Sequence, residues 1–186
     1  MPPPAHLALT RRIADLLTRR VHDRRNKEVR AVVSLRARDA CEYCLQSTSA
    51  PFNIEHITPP GRWEDYIAGR LRGVPPQPGR RGPHHIDNYA WACPNCNNKK
   101  DEYITRWGTA RLVRLFDPRY DHWPEHFVFR EDSRFLFIAG ASPEGRATEL
   151  ALAFNESGSE GPLGPSHVAI VEWRYPPRWA RRAYGI

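Results

Sequence analysis

The stretch from Asn88 to Lys100, NYAWACPNCNNKK, decides the fold of this chain. It contains a Cys-x-x-Cys pair, Cys93 and Cys96. The remaining cysteines, Cys41 and Cys44, form a second such pair in the sequence CEYC. Two residues between cysteines let both sulfurs of a pair point at one ion, so the four thiolates predict a tetrahedral structural zinc site.

Sequence signals for export and membrane insertion predict the redox state of these cysteines. The sequence has no run of 18 apolar residues, and arginines from Arg11 onward interrupt the place where a signal peptide would have its apolar core. We therefore expect a cytoplasmic protein without a membrane partner, in which reduced thiols bind the metal. Disulfides or free thiols are the alternative. A thiol redox protein would need a βαβ pattern around the cysteine pair, and the sequence lacks one.

Arginine dominates the charge of the 186-residue chain. The net charge is +7, and 25 of the 28 basic residues are arginines. Within residues 1–40, ten basic residues face four acidic ones. A guanidinium group makes forked contacts with phosphate, so this composition suits binding to a nucleic-acid backbone. A coding bias towards Arg, Ala and Pro explains the composition equally well.

Apolar residues at helical spacing precede the CEYC pair. It predicts one helix from about residue 6 to 20 and a second over residues 29–36, separated by a charged break. The opposite face of the first helix is basic, and it is either solvated or in contact with phosphate. The candidate phosphate contacts on that face are Arg11, Arg12, Arg19 and Arg20.

Later patterns predict a series of short elements. In order, they are a strand over 52–57, a short helix within 63–73, an exposed flexible loop over 74–83, a strand over 89–92, a helix over 94–107 and a short helix over 109–116. A hairpin from FVFR and RFLFIAG then leads to a helix capped by Ser142, with Ala147, Leu150, Ala151 and Phe154 on one face. A linker over 155–166 and a strand over 167–175 precede a basic tail.

Between the two cysteine pairs lies IEHITPP, which places Glu55 and His56 side by side. Hydrolysis of a phosphodiester needs a base for water and a cation for the developing charge. His56 titrates near neutrality and is the candidate base. The oxygens of Glu55 and of Asn97, in the first turn of a predicted helix, suit Mg²⁺ or Mn²⁺.

Three more residues complete the candidate site. We expect the amide of Asn88 to tie together the loop that holds His56. Lys99 and Lys100 are candidate phosphate contacts, with a solvated helix face as the alternative.

The ordered set CEYC, IEHI and DNYAWACPNCNNKK resembles the HNH endonuclease family, whose core is a ββα-metal finger. The resemblance covers about residues 30–105. His56 matches the first His of the family name, Asn88 the central Asn, and Asn97 the third position, where Asn is a familiar variant. The resemblance implies catalytic roles for these residues, a metal-ligand role for Glu55, and zinc knuckles made by the cysteines. The family usually has Asp where this chain has Glu55, and the 31 residues between His56 and Asn88 exceed the compact spacing.

The predicted fold class is α+β: an HNH ββα-metal core with structural zinc, N-terminal helices and a C-terminal hairpin-helix extension. The predicted divisions are a basic helical segment (1–28), the nuclease core (29–116), the extension (117–155), and a linker, strand and tail (156–186). The predicted function is metal-dependent cleavage of DNA, one strand per active site. The alternative is a non-catalytic, zinc-stabilised nucleic-acid-binding module.

The other histidines and the tryptophans receive structural interpretations. His84 and His85 are expected in a loop, with a second metal site as the alternative. His122 and His126 are expected to support the fold, with support of the active site as the alternative. Four tryptophans are expected in the core rather than as platforms for bases: Trp63, Trp91, Trp107 and Trp123.

Overall fold

The fold combines short helices with antiparallel strand pairs. The computed structural model describes residues 14–19, 21–47, 51–77, 80–107, 111–132 and 135–155. Over these ranges it has helices and two-stranded antiparallel sheets, so the mixed α+β class is confirmed. No helix within these ranges is long and apolar enough to cross a membrane.

The elements lie in the following order along the chain. The helices are α1 (Lys27–Ala37), α2 (Trp63–Ile67), α3 (Pro94–Lys100), α4 (Trp123–His126) and α5 (Pro143–Leu152). The strand pairs are β1 (Asn53–His56) with β2 (Tyr89–Ala92), β3 (Thr105–Trp107) with β4 (Leu112–Arg114), and β5 (Phe127–Asp132) with β6 (Phe135–Gly140). Short 3₁₀ turns lie at Pro60–Arg62 and Ile86–Asn88, and residues 14–18 are helical.

Helix α1 forms one side of the main core. The Asn26 side chain accepts hydrogen bonds from the first backbone amides of α1, and this cap defines where the helix begins. The helix buries Val29, Val33 and Ala37 and packs on β2. The aromatic side chains of Tyr43, Tyr89, Trp123 and Phe127 belong to the same buried cluster.

Strands β1 and β2 and helix α3 carry most residues of the predicted site. The strand register pairs His56 with Tyr89. Cys93 caps α3, and Pro94 occupies its first turn, where the missing amide costs no hydrogen bond. The helix ends at Lys100 because Asp101 adopts a positive φ of 44°.

Two helix predictions after this point are wrong. Residues 105–107 and 112–114 were expected in helices over 94–107 and 109–116, but they form β3 and β4. The two strands pair with each other, with Arg106 opposite Val113. Helix α5 packs on both strands, burying Val113 and Leu115 against Ala147 and Ala151. This tertiary contact overrides the weak local preference for helix.

The loop predicted to be exposed over 74–83 is partly buried. Val74 is 8% exposed. The Arg80 side chain is 1% exposed and pairs with Asp117 at 2.5 Å. It also lies over the rings of Tyr66 and Tyr120. An ion pair and two aromatic rings therefore bind this loop to the body of the protein.

The C-terminal hairpin and α5 form as predicted. Ser142 caps α5 and accepts a hydrogen bond from the Gly145 amide. On the face of α5 that was predicted to be apolar, Ala147, Ala151 and Phe154 are buried, but Leu150 is 58% exposed. The contact with β3, β4 and β6 covers only part of that face. The predicted linker and last strand lie outside the described residues, apart from Asn155.

Candidate functional site

The four cysteines converge on one point. Their sulfur atoms all lie within 4.8 Å of one another, and the Sγ atoms of Cys44 and Cys93 are 3.7 Å apart. In a tetrahedral site with Zn–S bonds of about 2.3 Å, neighbouring sulfurs are about 3.8 Å apart. Four thiolate donors in this geometry fit zinc. Cys41, Cys93 and Cys96 are buried, which is typical of a closed, structural site.

Local backbone turns hold each pair of cysteines in position. The amide of Leu45 donates to the Cys41 carbonyl, and Leu45 adopts a positive φ of 66°. The amide of Cys41 donates to the Gln46 carbonyl, which closes the first turn. In the second pair, the Cys96 amide lies 3.4 Å from the Cys93 sulfur at the start of α3. These turns direct the two sulfurs of each knuckle towards the same point.

His56 lies at the end of β1 on the wall of a pocket of about 560 Å³. Its Nε2 atom is 3.2 Å from Nδ1 of His84. The centroids of the His56 and Tyr89 rings are 5.2 Å apart in a T-shaped arrangement. His84 was expected to be a loop residue, and it does lie in the loop, yet it reaches the candidate base directly. Arg24 and Arg25 line the same pocket.

The surroundings of His56 favour its neutral form. Burial is the largest cause, and the nearby Arg24 guanidinium adds to it, so that the pKa of His56 falls from 6.5 to about 4. A neutral imidazole at physiological pH has a nitrogen lone pair that can accept a proton. His56 therefore has the protonation state that a general base needs.

Arg24 and Arg25 connect this pocket to a second groove of about 290 Å³. Arg30, Asn53 and Asn97 line that groove. Among the described residues, no carboxylate side chain forms an ion pair with Arg24 or Arg25. The sequence interpretation took HDRRNK only as a break between helices. Its two adjacent arginines were the signal that was missed.

Glu55 lies in the protein interior and is bound by two donors. The Tyr43 hydroxyl donates to its Oε2 atom and Lys100 Nζ donates to its Oε1 atom, both at 2.7 Å. Glu55 is 5% exposed and Lys100 is 1% exposed. Successive side chains of a strand point to opposite faces, so Glu55 and His56 diverge.

This placement bears on two predicted roles. Lys100 was a candidate phosphate contact, but it is buried and donates to Glu55 and to the His56 carbonyl. Glu55 and Asn97 were the predicted ligands of Mg²⁺ or Mn²⁺. Glu55 lies in the core, whereas Asn97 lines the second groove, which we call the Asn97 groove. Those two residues do not fit a shared hydrated cation, because both carboxylate oxygens of Glu55 already accept internal hydrogen bonds.

Asn88 ties two loops together. Its Oδ1 atom accepts from the Thr58 amide at 2.8 Å, and its Nδ2 atom donates to the carbonyls of Thr58 and Pro83. The side chain is fully buried. These bonds hold the chain segment that follows His56, which is the structural role predicted for Asn88.

No protein-family model, curated protein or solved structure matches this chain. The resemblance to HNH endonucleases thus remains a prediction from the motif.

Of the other predicted phosphate contacts, the structure describes Lys99 and Arg19, and neither lines the His56 pocket. Lys99 is exposed on α3. Arg19 pairs with Asp15 at 2.8 Å, whereas Arg11, Arg12 and Arg20 lie outside the described residues. Three other histidines contact side chains outside this pocket: His85 Nδ1 lies 2.9 Å from Asp87, His122 Nδ1 lies 3.7 Å from Glu125, and His126 forms a hydrogen bond with Ser142.

Proposed function

We propose that this protein is an HNH-type endonuclease that hydrolyses phosphodiester bonds in DNA, cutting one strand per active site. The observation that carries the proposal is the neutral, half-buried His56 in a pocket with Arg24 and Arg25. A proton acceptor beside two guanidinium groups is the pairing that attack of water on a phosphate requires.

The proposed reaction uses His56 as the base. Its imidazole accepts a proton from water as the water oxygen attacks phosphorus, the bond from phosphorus to the leaving oxygen breaks, and that oxygen takes a proton from solvent. Arg24 and Arg25 stabilise the negative charge that develops on the phosphoryl oxygens. The imidazolium that forms beside Arg24 is electrostatically unfavourable, so it readily releases its proton to solvent.

The proposal includes a divalent cation, Mg²⁺ or Mn²⁺, as the resemblance implies. Glu55 is excluded from its ligands by the contacts with Tyr43 and Lys100. We therefore assign no step to Glu55 and test the cation directly.

The test is nicking of supercoiled plasmid with Mg²⁺, with Mn²⁺ and with the metals removed. We expect nicking only with a divalent cation, and a loss of at least about 100-fold in His56→Ala, the scale of a lost general base. Arg146→Ala, on the exposed part of α5, is the control. Equal zinc content and thermal stability of the variants would show that the fold is intact. Undiminished nicking by His56→Ala would refute the mechanism.

The second candidate is a zinc-stabilised nucleic-acid-binding module without catalysis. The internal ion pair of Glu55 favours it, because the carboxylate beside the candidate base is not free to hold a cation. Duplex DNA binding that depends on Arg24, without nicking under any metal, would establish this function.

A further inference from the structure

A second basic surface lies away from the His56 pocket. It is a groove of about 720 Å³ between residues 70–72 and the segment that ends in β3. No residue that lines it also lines the His56 pocket or the Asn97 groove. Its lining includes four arginines and two aromatic residues: Arg62, Arg70, Arg72, Arg106, Tyr103 and Trp107.

The groove is built on a packed base. Leu71 and Ile104 line it and belong to a small apolar cluster with Trp63, Tyr66 and Val74. Gly73 has a φ of +76°, and a Cβ atom there would lie 3.3 Å from the Leu112 carbonyl oxygen. The missing Cβ atom permits this close approach, which places the segment before Gly73 next to β4.

Two aromatic side chains stay exposed in this groove. Trp107 is 67% exposed and Tyr103 is 51% exposed, although the sequence predicted Trp107 in the core. The pairing of Trp107 with Leu112 in the β3–β4 ladder fixes its backbone. Large aromatic rings usually bury most of their surface, so an exposed Trp on a strand indicates a contact surface.

The charge of the groove is positive. Arg62 and Arg70 share a single carboxylate, Asp65, at 3.9 Å and 2.9 Å. Arg72 and Arg106 are exposed and have no ion-pair partner among the described residues. Glu102 is the acidic residue in the lining. Two unpaired guanidinium groups beside two ring faces give the groove donors for phosphate and surfaces for bases.

We propose that this groove binds single-stranded nucleic acid. Unpaired bases stack on Trp107 and Tyr103, and phosphates contact Arg72 and Arg106. Exposed ring faces favour a single strand because the bases of a duplex are already stacked on one another. An acidic protein segment would satisfy the arginines but would leave the rings without planar partners. The inference does not depend on cleavage at His56.

The test measures the affinity of the full-length, zinc-loaded protein for a labelled oligothymidylate of 12 nucleotides by fluorescence anisotropy. Base stacking on an aromatic ring contributes about 1–3 kcal/mol, so Trp107→Ala should weaken binding by about 5- to 150-fold. Trp107→Phe, which keeps a ring, should retain most of the affinity. Leu150→Ala, which truncates an exposed apolar residue on α5, is the matched control and should bind as the wild type does.

The charge contribution is tested with the double variant Arg72→Ala/Arg106→Ala. Loss of two phosphate contacts on a single strand should reduce the slope of log affinity against log salt by about 1.4.

Binding of Trp107→Ala as tight as wild type would overturn the proposal. Competition by a polyglutamate peptide as strong as that by oligothymidylate would overturn it in favour of an acidic protein partner. The readout here is oligonucleotide binding and not plasmid nicking, so failure of the proposed nuclease activity and failure of this site give different results.

Discussion

At the scale of single residues, the contacts of Glu55 indicate a role in stability. Its carboxylate pairs with Lys100 in the interior, and removing one partner of a buried ion pair leaves an uncompensated charge. We expect Glu55→Ala to lower the free energy of unfolding by about 3–5 kcal/mol, measured by urea denaturation. The double variant Glu55→Leu/Lys100→Met should cost less than the sum of the single changes. Loss of nicking at unchanged stability would instead make Glu55 a functional ligand.

His56 makes a prediction about pH at the same scale. Since its pKa is lowered to about 4, the nicking rate should stay level down to about pH 5.5, where a histidine with a pKa of 6.5 would be mostly protonated. Arg24→Ala should raise the pKa and move the acid limb to higher pH, while Arg146→Ala should not. An acid limb near pH 6.5 in the wild type would contradict this account.

The lowered pKa of His56 also makes the stability of the fold depend on pH. Because the folded-state pKa of His56 lies below its ordinary value, the unfolded chain binds more protons between about pH 6.5 and about pH 4. His56 therefore lowers stability as the pH falls through that window. The shift can be measured without any activity by NMR titration of the imidazole.

At the scale of elements, α3 depends on the cysteine cluster. The helix has seven residues, fewer than an isolated helix needs in water, and it is anchored at its start by Cys93 and Cys96. We expect one zinc per chain by elemental analysis. Chelation of that zinc, or Cys93→Ser, should abolish the cooperative unfolding transition, and adding zinc back should restore it for the chelated wild type. A metal-free protein that remains folded would refute the zinc assignment.

At the scale of the whole molecule, arginines of the described residues line two separate surfaces. Arg24 and Arg25 join the His56 pocket to the Asn97 groove, and we expect them to contact the backbone of duplex DNA. The double variant Arg24→Ala/Arg25→Ala should reduce the slope of log affinity against log salt for duplex DNA by about 1.8. Arg111→Ala/Arg146→Ala, which removes the same charge from other exposed positions, is the control. Equal slopes in the two variants would assign the affinity to another surface.

Sequence alone determined the features whose signals are local. The cysteine spacing predicted the four-sulfur cluster, and the strands predicted over 52–57 and 89–92 correspond to β1 and β2. Pro94 marked the start of α3, and the charged break over residues 22–27 preceded the helix predicted over 29–36, which begins at Lys27 as α1. Within each cysteine pair and at the start of α3 the signal lies within a few residues of the feature, because knuckles and helix starts are short-range effects.

Only the tertiary structure decided the features that depend on distant partners. Glu55 meets Lys100 from 45 residues away, and Arg80 meets Asp117 from 37 residues away. Thr105–Trp107 became a strand because β4 and α5 were there to pair and pack with it. Trp107 is exposed because the burial of a side chain on a sheet depends on what covers that face of the sheet and not on the hydrophobicity of the side chain.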